Sequence, residues 1–339
     1  MSFVDKLADM CMPFLYFLES IRNPVCDFFF ETITHLGEET VFLVIAIFIF
    51  WCIDKREGYF VLFSGFFGTI INQAAKLTFR VDRPWVKDPS FTVVGDAKIE
   101  ATGYSFPSGH TQNIATTFGA VAAYNHKRRL VNISSIVIIA LVAFSRMYLG
   151  VHTPLDVVVS LLIALGLTLL LRPFFISEER FDKSFPWIVV SAAVAAVLLF
   201  VYVMCLGGDE TLDPVNYASG LKNSCTMLGC MVGMLAVFYV DKYAVKFDTG
   251  APWYSQILKL VLGLCGVLII KSGLSAPLTA LFGNEYVARA VRYFLVVVFA
   301  GATWPMTFKY FANLRIASLD AFGEKVAAFF TRKKSSPKE

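Results

Sequence analysis

Three short segments of the chain carry residues that chemistry could use. The first runs from Lys76 to Pro84 and sets Lys76 and Arg83 seven positions apart. On a helix that spacing is close to two turns, so both cations are expected to project from one face. Taken alone, such a pair is as readily two side chains snorkelling at a membrane boundary. The second segment is Pro107-Ser108-Gly109-His110. Ser and Gly ahead of a helix supply a hydroxyl, an approachable backbone and unpaired N–H groups at a positive dipole end, which together suit an anion. His110 beside them could protonate a leaving oxygen. An ordinary N-cap would use the same letters. The third segment holds Ser145-Arg146 and then His152 and Asp156. His152 and Asp156 stand at i and i+4, facing the same way at a helix start, with Pro154 suited to the first turn. A carboxylate there can fix the imidazole tautomer and leave the other nitrogen to attack. Seen singly, a polar pair joining two helices accounts for it equally well.

The elements that must position these residues follow from composition. Of 339 residues, 57% are apolar and only 17% charged, with 33 Phe; the mean hydropathy is +0.64. Soluble domains carry about 25% charged residues, so a soluble enzyme, a disordered chain and a secreted disulfide scaffold are all disfavoured. A net charge of +4 is too small to suggest nucleic acid. Seven scattered Cys with no CxxC give neither a disulfide framework nor a zinc site. The expectation is an all-α, polytopic membrane helix bundle.

About nine transmembrane helices are expected, each needing about 20 mostly apolar residues. They fall near 37–54, 59–79, 110–125, 130–150, 152–172, 186–206, 219–240, 257–274 and 286–308. The first and third look short. Residues 1–36 read as an N-terminal interfacial segment, 37–175 as a five-span catalytic core, 186–311 as a four-span C-terminal bundle and 312–339 as a basic cytoplasmic tail. Eighteen of the 30 Lys and Arg fall in alternate loops and the tail, on one side. By the positive-inside trend the N-terminus is outside and the C-terminus cytoplasmic. Lys76, Arg80, Arg83, Lys87, Lys98 and Arg146 then lie outside, where cations should be depleted. Ionisable groups kept against that bias mark a functional site. Lys222, Lys271, Arg289 and Arg292 fall on the same side, bordering a mouth or pairing with nearby acids.

All three segments therefore reach one membrane face, by an orientation argument that never used them. Together they can hold a tetrahedral oxyanion, attack it and protonate a leaving group. The pattern Lys-x6-Arg-Pro, Pro-Ser-Gly-His and Ser-Arg-x5-His-x3-Asp resembles the type 2 phosphatidic acid phosphatases, or lipid phosphate phosphatases. Their superfamily also holds glucose-6-phosphatases and vanadium haloperoxidases. The resemblance covers roughly residues 41–172, and no motif is found in 186–339. It implies that Lys76, Arg83, Ser108, Gly109 and Arg146 bind phosphate. His152 would be the nucleophile, Asp156 its orienter and His110 the general acid, with no metal and no cofactor. The implied partner is a phosphorylated lipid in the membrane, hydrolysed at the extracytoplasmic face of a multi-pass protein, expected in the cell membrane. A sugar-phosphate phosphatase and a noncatalytic lipid-binding or transport relative are the competing expectations, because the motifs read phosphate and not what carries it.

Overall fold

Seven of the described helices begin where a side chain satisfies an orphan N–H group of the first turn. The computed structural model describes residues 3–322, so most of the tail expected at 312–339 lies outside the described residues. In chain order the helices are α1 (Phe3–Asp9), α2 (Met12–Ser20), α3 (Pro24–Thr34), α4 (Glu39–Phe48), α5 (Lys55–Phe79), α6 (Pro84–Lys87), α7 (Ala97–Glu100) and α8 (Gly109–Tyr124). They continue as α9 (Arg129–Tyr148), α10 (Pro154–Ile176), α11 (Glu178–Cys205), α12 (Pro214–Val240), α13 (Trp253–Leu268), α14 (Ser275–Phe282), α15 (Glu285–Val298) and α16 (Phe308–Asn313). Among the described residues there is no strand. Asn23, Asp54, Ser108, Thr153, Ser177, Asp213 and Asn284 each cap a helix by accepting from a backbone N–H one turn in. Short π-helical turns extend α4, α12, α13 and α15.

Nine spans were expected; among the described residues seven helices are long and apolar enough to cross a membrane, or eight if α3 and α4, bent by 56°, count as one broken span. The helix that falls short is α8. It has 16 residues and opens with Gly109, His110, Thr111, Gln112 and Asn113. So polar a helix could not face lipid, and it need not: α5, α9 and α10 pack around it. Lipid-facing surface is instead carried by α10 and α11, where Leu162, Leu165, Leu169 and Leu198 are all more than half exposed.

The two halves of the chain share one apolar core, which runs without a break from Phe42 and Phe63 through Phe185 and Met231 to Phe308. The α12–α15 contact is the tightest. A Cβ on Gly229 would lie 2.1 Å from the Ala290 carbonyl oxygen. Polar ties join the halves at both ends of the bundle. Arg80 reaches Asp209 at 2.6 Å, and Lys55 reaches Asp241 at 2.5 Å. Between them the Trp51 indole donates to the Ala300 carbonyl at 2.8 Å. The N-terminal helices lie against the loop that carries the first motif. Lys87 pairs with Asp9 at 2.7 Å, and Arg22 donates to the Thr92 and Tyr148 carbonyls.

Candidate active site

The first motif does not project from one helix face, as its spacing suggested. α5 stops at Phe79, and Arg80 takes a left-handed conformation with φ 50° that turns the chain sharply. Arg83 lies beyond the turn, held extended by the proline after it, which also starts α6. Lys76 and Arg83 still converge, but through a turn rather than along a helix. Both are buried. The Lys76 ammonium donates to the Tyr104 carbonyl. The Arg83 guanidinium donates to the carbonyls of Gly103, Thr102 and Val151 at 2.9–3.0 Å. Neutral carbonyls leave both cations with charge to spare.

The His152–Asp156 pair is also made differently from the i, i+4 helical contact expected. His152 precedes the helix, Thr153 is the N-cap of α10, and Asp156 is in its first turn. Thr153 and Asp156 form a reciprocal capping box. One Asp156 oxygen, Oδ2, accepts from the Thr153 backbone N–H at 2.8 Å and the Ser105 hydroxyl at 2.6 Å, and faces His152 Nδ1 at 3.3 Å. On the ring's other side, Arg83 Nη1 lies 2.9 Å from His152 Nε2. A guanidinium can only donate, so Nε2 accepts and the neutral ring carries its proton on Nδ1, toward Asp156. His152 and Asp156 are almost wholly buried.

The remaining members come from α8 and α9. Ser108 caps α8, accepting from the Thr111 N–H at 3.4 Å, and its own N–H donates to the Asp156 carbonyl at 3.2 Å. Gly109 opens the helix with space beside it; the nearest atom to an added Cβ would be 3.9 Å away, on Asn72. Arg146, at the end of α9, donates to the Thr34 hydroxyl at 2.6 Å. His110 Nε2 is buried with no hydrogen-bond partner among the described residues. Lys76, Arg83, Gly109, His110, Arg146 and His152 all line one cavity of about 430 Å³. Of the eight expected site residues, six therefore face one space. Asp156 stands behind His152, and Ser108 is turned into the cap.

Sequence reasoning missed several supporting residues. Thr153 had a readable signal, since Thr-Pro-Leu-Asp is a capping box with proline at the first helical position. Ser105, which bonds Asp156, and Asn72, which donates to the Pro107 carbonyl at 3.2 Å, had none. Thr34 comes from the segment read as interfacial and meets Arg146 across 112 positions of sequence.

Comparison with known proteins agrees with this arrangement. Residues 57–180 match the PAP2 superfamily. Residues 225–317 match the PAP2 superfamily phosphatase transmembrane extension, so the half without a motif still carries a family pattern. Phosphatidylglycerophosphatase B of Bacillus subtilis (strain 168) is 30% identical over 177 residues, 48% of this chain and 82% of that one. Lipid phosphate phosphatase delta of Arabidopsis thaliana is 26% identical over 282 residues, 77% of this chain and 65% of that one. Sphingosine-1-phosphate phosphatase 2 of Homo sapiens is 24% identical over 230 residues, 66% of this chain and 54% of that one. The chain thus spans just under two thirds and about half the length of the last two. Cations, two imidazoles and a carboxylate gathered at one end of a helix bundle, with these matches over both halves, place the chain in the PAP2 superfamily as a multi-pass membrane lipid phosphate phosphatase.

Proposed function

We propose that the chain hydrolyses a phosphomonoester or diphosphate on a membrane lipid, at the extracytoplasmic face of the cell membrane, through a phosphohistidine on His152 and without a metal. The observation that carries the mechanism is the Arg83 contact to His152 Nε2, because it leaves the attacking lone pair on the side of the phosphate-binding cations. Lys76, Arg83 and Arg146 line the cavity around His152 and supply positive charge for a phosphate, while Glu38 and Glu39 also line it and Asp156 stands behind His152. An entering phosphate draws Arg83 off Nε2. Nε2 then attacks phosphorus as the bond to the bridging oxygen breaks, and His110, entering the cycle protonated, gives its proton to the departing lipid alkoxide or, from a diphosphate, to the departing lipid phosphate. Water next attacks the phosphohistidine while His110 takes up its proton; phosphate leaves and both rings return to their first state. Ser108 and Gly109 add the start of α8, whose N–H groups favour the oxyanion. The external side is supported by the distribution of Lys and Arg among the loops.

Rapid quenching of a reaction with phosphorus-labelled lipid tests this. Wild type should yield acid-labile protein-bound phosphate, and His152→Ala should yield none while losing about 10³-fold or more in turnover. Near-normal turnover in that variant would remove His152 from the mechanism. Chelators should leave activity unchanged, because cations here do the neutralising that a metal would otherwise do. Among the described residues no three His, Cys, Asp or Glu side chains cluster as a metal site requires. Activity lost in EDTA and restored by Mg²⁺ would overturn that part.

A further inference from the structure

A second cavity, of about 230 Å³, opens from the first. The two share Glu39, Asn72, Gln73, Thr102, Gly109 and Asn113, so the apolar space begins where the phosphate space ends. Beyond that polar neck the lining changes to Phe42, Phe66, Met227, Cys230, Met234 and Val296. α4 and α5 form one wall, and α12 and α15, from the C-terminal half, form the other. Along α12 the lining runs from Asn223 to Val237, a rise of about 21 Å at 1.5 Å per residue. Of the lining residues only Glu39 and Thr102, both at the neck, are exposed. The far end closes on Phe50, Val237 and Gly301; a Cβ on Gly301 would already lie 2.6 Å from Val237. The rest of the lining is buried or half-buried along the whole run.

We propose that this cavity holds the single hydrocarbon chain of the substrate, so that the enzyme acts on single-chain phosphomonoester lipids in preference to two-chain ones. The proposal rests on the phosphatase reading above and adds the class of lipid. One apolar bore about as long as an extended acyl chain, continuous with the phosphate site and lined by buried and half-buried side chains, is matched to one chain. A second chain on the same headgroup would have to lie across the polar neck or in the wider vestibule beside Trp85 and Asn216. Seating a chain here exchanges loose contact with micelle or water for close packing, and each added methylene should strengthen binding until the far end at Phe50, Val237 and Gly301 is reached. A glycerol or a sphingoid backbone would equally occupy the neck, where Asn72, Gln73 and Asn113 offer donors and acceptors to a hydroxyl or an amine.

The test measures phosphate release by the purified full chain in detergent micelles. The substrates are octadecanoyl and octanoyl lysophosphatidate, sphinganine phosphate, dioctadecanoyl phosphatidate and glycerol phosphate. Wild type should favour the octadecanoyl over the octanoyl lysolipid by at least about ten-fold in kcat/KM. The better of lysophosphatidate and sphinganine phosphate should exceed phosphatidate by a similar factor, and their order tells which backbone the neck prefers. Cys230→Trp places an indole across the bore and should bring the chain-length ratio close to unity. Met234→Phe, deeper and milder, should reduce the ratio if the first variant fails to fold. Phosphatidate turned over as well as the best single-chain lipid would overturn the proposal, as would an unchanged chain-length ratio in both variants. Either result with glycerol phosphate still hydrolysed leaves the phosphatase reading standing; no release from any substrate by wild type would instead remove that reading.

Discussion

His110 and His152 line one cavity with different partners, and the difference separates what each can do. His152 is held on both nitrogens, by Asp156 and Arg83, and presents a fixed lone pair. His110 is held by packing, with Gly37 close enough that an added Cβ would meet the His110 Cβ at 2.9 Å. Under the proposed mechanism His110→Ala should cost about 10²–10³-fold on an alkyl phosphate, whose leaving oxygen needs a proton. It should cost far less on p-nitrophenyl phosphate, whose phenolate leaves without one; equal losses on the two would remove His110 as the acid. Asp156→Asn keeps the shape but offers the ring a neutral partner that can also donate. Turnover should fall about 10³-fold with KM little changed, since the tautomer and the charged ring are what it supports. That these residues would converge was legible because charge against the positive-inside trend is rare and three motifs agreed. Their geometry was not legible. Arg80 in a left-handed turn breaks the helix that would have aligned Lys76 with Arg83, and non-Gly residues rarely adopt that conformation. Nothing near Ser105 in sequence points to a carboxylate 51 positions away.

At the scale of elements, the start of α10 joins stability to the site. Thr153 caps the helix with its side chain while its N–H holds Asp156. Thr153→Ala should lower stability by about 1 kcal/mol, read as a fall in Tm, and lower kcat in the same variant; Thr153→Ser should restore both. A cap without influence on the carboxylate would show the first loss alone. The helix count was read less well than the motifs, for a physical reason. Hydropathy scores a span by its contact with lipid, and α8 is shielded from lipid by α5, α9 and α10. Close helix packing was readable from Gly229 and Gly233, four apart in α12, both of which sit against α15. A matched pair of substitutions separates packing from propensity. Gly166, in α10, has nothing within 4 Å of an added Cβ, so Gly166→Ala should be neutral or stabilise by up to about 1 kcal/mol. Gly229→Ala drives a methyl into the Ala290 carbonyl and should destabilise by about 1–3 kcal/mol. Thermal unfolding in one detergent reads both, and similar shifts in the two variants would contradict the packing.

Across the whole molecule, the C-terminal half meets the motif-bearing half at the site end through charge as well as through the shared core. The tie between Arg80 and Asp209 is built to persist. The Thr211 hydroxyl and N–H, with Arg80, hold the Asp209 carboxyl down to about 2. A depressed folded value means the contact is present above the ordinary aspartate range and is lost only as pH falls toward 2. Beside this tie lies a vestibule of about 590 Å³, lined by Arg83 and Trp85 on one side and by Lys222 and Arg289 on the other. Sequence left Arg289 and Arg292, three apart on one helix, either bordering a mouth or pairing with nearby acids. The structure puts both on one small cavity and only Arg289 on the vestibule as well. Arg289 lies on the vestibule wall, its Nε donating to the Thr226 hydroxyl at 2.7 Å. Arg292 faces only the smaller cavity, with Ser275, Glu285 and Arg289, and Glu285 reaches Lys222 at 3.9 Å. A cation on the approach route attracts the anionic substrate before chemistry and contributes equally to ground and transition states. Arg289→Gln should therefore raise KM by about three- to ten-fold with kcat nearly intact, and should flatten the salt dependence of kcat/KM. Arg292→Gln, the same charge change one turn along, should leave both close to wild type. If the two variants shift KM equally, the effect is general field from the bundle end, and the vestibule has no part in guiding substrate to His152.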